Sequence, residues 1–359
     1  MKAIILVGGY GTRLRPFTFS KPKPLVPFCN LPIVEHQVRA LADAGVDHVI
    51  FAVAYKAEEL QAEIERMQER YGICITCCKE DKPLGTAGPI KNAESLLMES
   101  ECDDFFVCNS DVTCDFPLSQ MLRFHRSHGR EGTILTTKVD EPQHYGVICT
   151  DLQNCVESFV EKPQQFVGDD INAGVYVLNR SVLDRIELKP TSIERAVFPE
   201  MARDKALFTF PLRGFWADLG RPRDLIQGMK HKLASEAHRG MLEECQRVGV
   251  RFLGHCLVDP SATIAPGCVI GPDVVLGPCV DVKAACRIQS SLVFAGATVG
   301  AGSFVRNSVV GWNCTLAGWN NVECVLGEDV RLGQGVVLRD TTVLPHKVVD
   351  SDDSGSILL

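Results

Sequence analysis

From about residue 250 onward, the chain carries an aliphatic residue at every sixth position. Ile264, Ile270, Leu276, Val282 and Ile288 keep this spacing, Val299 and Val305 keep it after a slip of one residue, and Leu326, Leu332, Leu338 and Leu344 restore it. A small residue often follows, as in Ile270-Gly271, Leu276-Gly277, Val299-Gly300 and Leu332-Gly333. A period of six matches neither an α-helix nor a single strand. It fits a parallel β-helix, in which three such sides make one coil and each aliphatic side chain points into a narrow core. The sequence therefore predicts a left-handed β-helix of hexapeptide repeats over residues 250–349, ending in a tail over 350–359 whose acidic part, Asp350–Gly355, is expected to be frayed.

Residues 1–235 follow a different rule. Apolar runs at Ala3–Val7, His48–Ala52, Ile73–Cys78, Phe105–Cys108 and Thr133–Thr137 alternate with amphipathic stretches at Ile33–Ala44, Ala57–Tyr71, Ala87–Met98 and Leu118–His128. This alternation predicts βαβ units, hence an α/β, Rossmann-like domain with a parallel sheet covered on both faces. Ligands of such sheets bind outside the carboxyl ends of the strands. After Tyr145, short strands at Gly146–Thr150, Val156–Val160 and Ile171–Leu178 read as an added lobe over that site. A helix near Ser192–Arg203, strands at Leu207–Phe210 and Gly214–Ala217, and a closing helix at Arg221–His238 follow. The predicted division is a catalytic domain over 1–235, a linker over 236–249, the β-helix and the tail.

Composition removes several classes of function. Lys plus Arg number 37 against 45 for Asp plus Glu, a formal net charge of −8, which argues against a general surface for nucleic acid or anionic membrane. No stretch has the length of a membrane span, and residues 1–7 are too short for a secretory signal. The 16 cysteines are then expected to be reduced thiols acting as small apolar residues, with a cytoplasmic location.

The chemistry gathers at the amino end. The run Ala3–Val7 opens into Gly8, Gly9 and Gly11, then Thr12, Arg13 and Arg15, and then Lys21 and Lys23 among prolines. Glycines expose backbone N–H groups to a phosphate chain, and the cations balance its charge. The two commoner nucleotide motifs both fail. The dinucleotide fingerprint needs glycine where Leu14 stands, and the P-loop needs it where Arg13 stands. Arg13 offers fixed donors to β- and γ-phosphates. Lys23, restricted by Pro22 and Pro24, offers a point charge to the α-phosphate. Asp111 and Asp218 each follow an apolar strand, and a pair of carboxylates suits Mg²⁺.

The string G-G-Y-G-T-R-L-R-P-F-T with P-K-P-L-V-P resembles the signature of the sugar-1-phosphate nucleotidyltransferases. N-S-D at 109–111, Y-G-V at 145–147, V-E-K-P at 160–163, I-N-A-G at 171–174 and F-W-A-D-L-G at 215–220 have counterparts there in the same order. With the hexapeptide region, the resemblance spans essentially the whole chain. It is nearest to the β-type catalytic subunits that join GTP and mannose 1-phosphate into GDP-mannose and pyrophosphate.

The resemblance implies a nucleotide site of Leu6, Gly8, Gly9, Gly11, Thr12, Arg13, Lys23, Gly85, Asn109 and Asp111. It implies a sugar-phosphate site of Gly146, Glu161, Lys162, Asn172 and Gly174, with Arg13, Lys23 and Lys162 acting in the reaction. Mg²⁺ would sit at Asp111 and Asp218. The open ends and flat faces of the β-helix expose strand edges and apolar surface best covered by a neighbour, which predicts a homo-oligomer, and the resemblance adds a regulatory α-type subunit as a further partner. Thr86, in Gly85-Thr86-Ala87-Gly88, is also expected to cap its own helix. Pro27, Ala217 and Lys91-Asn92 depart from the usual pattern without removing a proposed catalytic group. The alternatives are another sugar or base, a noncatalytic regulatory subunit, and acyl transfer by the β-helix, for which only His255 and His346 offer bases.

Overall fold

The computed structural model describes residues 1–53, 57–243 and 245–359. Contacts divide the chain into two compact units interleaved in sequence. One is Met1–Gly9 with Val34–Trp216, and the other is Tyr10–Ile33 with Ala217–Leu359.

The first unit is built on parallel strands β1 (Lys2–Val7), β2 (His48–Val53), β3 (Cys74–Lys79) and β4 (Asp104–Asn109), ordered β4-β1-β2-β3. The near-continuous apolar runs of β1, β2 and β4 are those of strands covered on both faces, whereas β3 at the sheet edge buries only Ile75. Strands β5 (Gly132–Lys138), β6 (Gly146–Thr150), β7 (Val156–Glu161), β8 (Asp170–Asn179) and β9 (Leu207–Pro211) extend the same sheet. The expected lobe is therefore not separate. Ile171 and Ala173–Leu178 of β8 are all buried, and β8 lies antiparallel to β5 along one edge and to β4 and, at Ile171, β6 along the other.

Helices α1 (Ile33–Asp43), α2 (Gln61–Tyr71), α3 (Leu118–His128) and α4 (Phe198–Arg203) complete this unit. Two expected helices are broken. Residues 87–98 form two short pieces, Gly88–Asn92 and Glu94–Met98, and α4 is entered through a π-turn at Ile193–Val197.

The second unit holds α5 (Pro222–His238) and the parallel β-helix, consistent with the left-handed form. Strands stack in three columns, which start at Arg251–Phe252, Cys256–Val258 and Thr263–Ile264. Val269 pairs with Arg287, Arg287 with Phe304, Phe304 with Asn321 and Asn321 with Val337, so successive coils take 18, 17, 17 and 16 residues. The single slip seen in sequence thus recurs in each later coil, always on the same side. The inward pairs Ile288 and Val293, Val305 and Val310, and Leu338 and Val343 span it five residues apart, and Val322 and Leu326 stand only four apart, a loss of two. Val343, rather than Leu344, fills the last of these core places.

Serines repair the shortened side. Ser308 N–H donates to Ser291 Oγ (3.1 Å), and Cys324 N–H donates to Ser308 Oγ (2.9 Å). Small residues after the aliphatics are required by the stacking, since a Cβ on Gly300 would stand 2.4 Å from Leu316 O in the next coil.

The tail is not frayed. Asp353–Ser354 and Ile357–Leu358 pair with Val337–Val343, Asp352 Oδ1 accepts Val337 N–H (2.8 Å), and the Thr341 hydroxyl donates to Asp353 Oδ2 (2.8 Å). The expected linker is also partly packed. Helix α5 runs into it as far as His238, and Leu242 and Cys245 lie against apolar clusters. Residue 244 lies outside the described residues.

All sixteen cysteines are free. Cys268, Cys286, Cys314 and Cys324 lie in the β-helix core, where burial pushes the Cys286 thiol up to about 11 and that of Cys314 to about 12. Among the described residues, no helix is long and apolar enough to cross a membrane.

Candidate active site

In the first unit, the predicted residues gather at the carboxyl ends of β1 and β4. Leu6 and Asn109 are register partners there, and Gly8 and Gly9 continue from β1. The turn that carries Asp111 is held from below by Gln37 on α1. Its Nε2 donates to Asn109 O (2.7 Å) and to Val112 O (2.8 Å), while its Oε1 is buried without a hydrogen-bond partner among the described residues. A fully buried amide spanning both ends of a four-residue turn fixes that turn.

Gly174 in β8 is needed where it stands. Its φ is 75°, and a Cβ would meet Asn109 Nδ2 at 2.9 Å. Asn172 shapes this bulge with both ends of its amide: Oδ1 accepts Gly174 N–H (2.9 Å) and Nδ2 donates to Tyr176 OH (2.9 Å). Trp216 Nε1 donates to Ala173 O (2.9 Å) and its ring meets Tyr145 edge-on.

Gly146 and Glu161 are register partners on β6 and β7. A Cβ on Gly146 would stand 2.9 Å from Glu161 Oε2 and 2.6 Å from the Phe159 ring, so glycine leaves that carboxylate its place. Burial, and secondly the charge of Glu194, push the Glu161 carboxyl up, against the pull of Lys162 with Nζ at 3.6 Å. Lys162 adopts a left-handed backbone, φ 49°, and its N–H donates to Tyr145 O (3.0 Å). A lysine in that region is uncommon, and here its ammonium is exposed beside the half-buried Glu161.

Gly85 has φ 78°, and a Cβ would stand 2.4 Å from Thr191 O. Thr86 does not cap its own helix. Its hydroxyl donates to Glu194 (2.7 Å) and accepts Ile193 N–H (2.9 Å), so it anchors the turn leading to α4.

In the second unit, Gly11 has φ 64° and its carbonyl accepts Leu14 N–H (2.9 Å) and the Thr18 hydroxyl (2.8 Å). A Cβ there would meet Thr18 Cγ2 at 2.8 Å and Lys23 Cβ at 3.0 Å, so this glycine lets the Lys23 stem pass close by. Thr12 and Arg13 lie on the short 3₁₀ turn that follows. Asp218 and Arg13 converge on Gly220, where a Cβ would be 3.0 Å from Asp218 Oδ1 and 3.3 Å from Arg13 Nη2. Asp224, in the first turn of α5, has its carboxyl raised by burial, against the lowering charges of Arg221, Arg13 and Lys23.

Within each unit one carboxylate offers a hard oxygen of the kind Mg²⁺ takes: Asp111 in the turn after β4 of the first, and Asp218 of the second, where glycine at 220 keeps the space beside Oδ1 free of a side chain. Among the described residues, no group of three or more His, Cys, Asp or Glu side chains could hold a metal by itself.

Gln37, Glu80 and Asp224 were not singled out in the sequence. Glu80 Oε2 accepts Leu84 N–H (2.9 Å), while Oε1 is buried without a partner among the described residues, 3.6 Å from where a Cβ on Gly8 would stand. Burial raises this carboxyl too. The available signal for Gln37 was a polar residue between the apolar Val34, Val38 and Leu41 of α1. For Glu80 it was an acid just beyond a strand end.

A polar cavity of about 480 Å³ opens at the other end of β4, lined in part by Asp104, His125, Arg126 and Arg185. Its charges pair internally, Arg126 with Asp104 (3.1 Å) and Arg185 with Glu131 (2.8 Å).

Residues 2–235 match the family model described as nucleotidyl transferase, and residues 252–358 match one described as the GMPPB C-terminal domain. The chain is 49% identical to the mannose-1-phosphate guanyltransferase beta-B of Xenopus laevis over 97% of each chain. It is 48% identical to the mannose-1-phosphate guanylyltransferase catalytic subunit beta of Danio rerio over the whole of both. A putative glucose-1-phosphate thymidylyltransferase from Bacillus anthracis shares the fold, with TM-score 0.58, 22% identity, and coverage of 64% of this chain and 93% of that one. HddC from Yersinia pseudotuberculosis, solved with GMP-PN, gives TM-score 0.52 and 28% identity, with 63% and 97% coverage. Matched by that model over residues 2–235 and about half identical to relatives along nearly its whole length, this chain belongs to the nucleotidyl transferase family.

Proposed function

We propose that the chain is the catalytic β-type subunit of a mannose-1-phosphate guanylyltransferase, which makes GDP-mannose and pyrophosphate from GTP and mannose 1-phosphate. The observation that carries this reading is the retention of Arg13, Lys23, Asp111, Lys162 and Asp218 together in a chain about half identical to proteins of that name over their full length. A noncatalytic subunit has no use for the whole set.

The reaction brings two anions together, so the protein's work is to position them and neutralise charge. Gly8, Gly9 and Gly11 present backbone N–H groups to the triphosphate. Arg13 holds the β- and γ-phosphates and Lys23 the α-phosphate. Lys162, exposed beside Glu161, takes the phosphate of the sugar, whose oxygen attacks the α-phosphorus as pyrophosphate leaves. Glu161 accepts from sugar hydroxyls, while Asn172 and Gly174 shape that pocket with Gly146. When bound at Asp111 and Asp218, Mg²⁺ supplies further neutralisation of the phosphate charge.

Glu80 supports guanine. Guanine presents adjacent N–H donors at N1 and N2, and a carboxylate with one oxygen unclaimed accepts both. Gly85 and Asn109 complete the nucleoside contacts. Assembly through the β-helix, a regulatory α-type partner and a cytoplasmic location belong to the same reading.

The test is pyrophosphate release with Mg²⁺, mannose 1-phosphate and each nucleoside triphosphate in turn. Release with GTP at the highest kcat/KM is expected, and in Glu80→Gln the preference for GTP over UTP should shrink by about tenfold. No release with any triphosphate would sink the enzyme reading, and a preference for UTP or ATP in the wild type would sink the guanylyl assignment.

A further inference from the structure

The second column of the β-helix carries an apolar row that its core does not need. Leu276, Val293, Val310 and Leu326 point inward, yet their neighbours Val275, Leu292, Val309 and Val325 are also buried. They face outward, as alternation along a strand requires. The third column shows the ordinary pattern, with Thr263, Asp281, Thr298, Thr315 and Arg331 outside. An outward row of aliphatics needs a cover, and two segments of the same unit provide it. One is the face of α5 with Leu225, Ile226, Met229 and Leu233. The other is the stretch that contains the candidate phosphate-binding cations, through Leu14, Phe17, Val26 and Phe28.

Phe17 is the point of attachment. It is fully buried, with its ring 5.2 Å from that of Phe294 and 6.1 Å from that of Trp312, which themselves lie 5.0 Å apart. Lys21 Nζ stands 5.2 Å over the Trp312 ring, and Asn30 Nδ2 donates to Leu276 O (3.0 Å). Arg13 immediately precedes buried Leu14, and Lys23 immediately precedes buried Pro24 and Leu25. Asp218 immediately precedes Leu219 of the same cluster, and Gly228 of α5 lets that segment lie close, since a Cβ there would be 2.9 Å from Leu219 Cδ2 and 3.1 Å from Ala217 Cβ.

We propose that this face of the β-helix is the mount for the triphosphate-binding groups, and that Phe294 and Trp312 act through Phe17 as positioning residues for Arg13 and Lys23. Neither aromatic supplies a group to the reaction. They determine where the two cations stand, and a misplacement of about 1 Å is enough to cost on the order of a hundredfold in rate. The proposal rests on the assignment of Arg13 and Lys23 to the triphosphate.

The test uses full-length Trp312→Ala, Trp312→Phe and Phe294→Leu. GTP and mannose 1-phosphate are varied separately in the steady state, and GTP affinity with Mg²⁺ is measured by titration calorimetry without the sugar phosphate. Trp312→Ala is expected to raise both KM and Kd for GTP by about tenfold. KM for mannose 1-phosphate should stay within about twofold, and Trp312→Phe should restore most of the loss. A purely structural role would instead lower the amount of active protein and leave the ratio of the two KM values alone. If both KM values move together, or if GTP affinity is unchanged in folded variants, the mount is overturned. Should Trp312→Ala fail to fold, Phe294→Leu decides by the same split. Wild-type protein that binds no triphosphate overturns both this proposal and the functional reading; wild-type turnover with unshifted variants overturns the mount alone.

Discussion

The two compact units hold their functional residues by different means. In the sheet unit, polar contacts fix the turns: Gln37 under Asn109 and Val112, Thr86 against Ile193 and Glu194, and Asn172 across its own bulge. In the β-helix unit, apolar packing fixes them, through Leu14, Phe17 and Phe28 on a row of outward aliphatics. Hydrogen bonds specify the direction of a group, whereas packing specifies the seat of a whole segment. A buried hydrogen bond lost costs about 1–3 kcal/mol because its partners stay dry and unsatisfied. A buried aromatic lost costs about 3–5 kcal/mol through transfer and cavity terms.

The sharpest way to break this comparison is Asp218→Ala. The carboxylate lies in the packed unit, and its removal should lower kcat by about a thousandfold while the thermal midpoint stays near that of the wild type. Turnover like that of the wild type would take Asp218 out of the metal site and leave the packed unit without its own carboxylate in the chemistry. Next in size is Gln37→Met, which keeps the volume and removes the amide. Two carbonyls then lose their donor, and the urea midpoint should report a loss of about 2 kcal/mol. An unchanged midpoint would mean that the Asp111 turn is held by something other than this amide.

The smallest effect concerns pH and belongs to the sheet unit alone. His128 Nδ1 accepts Arg130 N–H (3.0 Å), its Nε2 lies 2.8 Å from Thr133 Oγ1, and its ring stacks on Phe208. Burial, with the nearby charges of His125 and Arg130, lowers it from 6.5 to about 4. Hydrogen bonds from His125, and then from Arg126 and Asn179, hold Asp104 at about 2 against its burial. Between about 6.5 and 4 the unfolded chain takes up a proton that the folded His128 refuses, so stability falls as pH falls through that window. Asp104 adds a further fall from about 4 to about 2. Scanning fluorimetry should show the midpoint dropping by about a few degrees from pH 6.5 to 4 in the wild type, and less in His128→Gln. An identical slope in the variant would clear His128 of the effect.

Much of this architecture was legible in the sequence, for physical reasons. The central strands β1, β2 and β4 are legible to within a residue because both of their faces are buried, which leaves an unbroken apolar run. Leu118–His128 was read to the residue because Gly129 takes the left-handed conformation that ends it. The repeat reveals the β-helix through its inward residues, which alone carry the period of six. The neighbours Val275, Leu292, Val309 and Val325 make apolar pairs or triplets in the second column, and that doubling was the available sign that one face is covered.

The tail and the lobe were misread for a common reason. Strand pairing depends on partners far away in sequence, and short polar or mixed runs such as Asp353–Ser354 carry little of that information. In the candidate site, glycines and charges stood out by type. Gln37 and Glu80 act through burial and direction, which composition does not record.

The shortened side of the β-helix bears on how such a chain tolerates changes in length. Within a strand, deleting one residue inverts every side chain beyond it, which would put aliphatics in water and charges in the core. At the corner between the first and second columns the residue is lost without that penalty. Ser290 and Asn307 turn the chain in the left-handed conformation there, and the serine hydroxyls complete the ladder. That corner is thus the place where a coil of this protein can gain or lose a residue between one generation of sequence and the next while the columns on either side stay in phase.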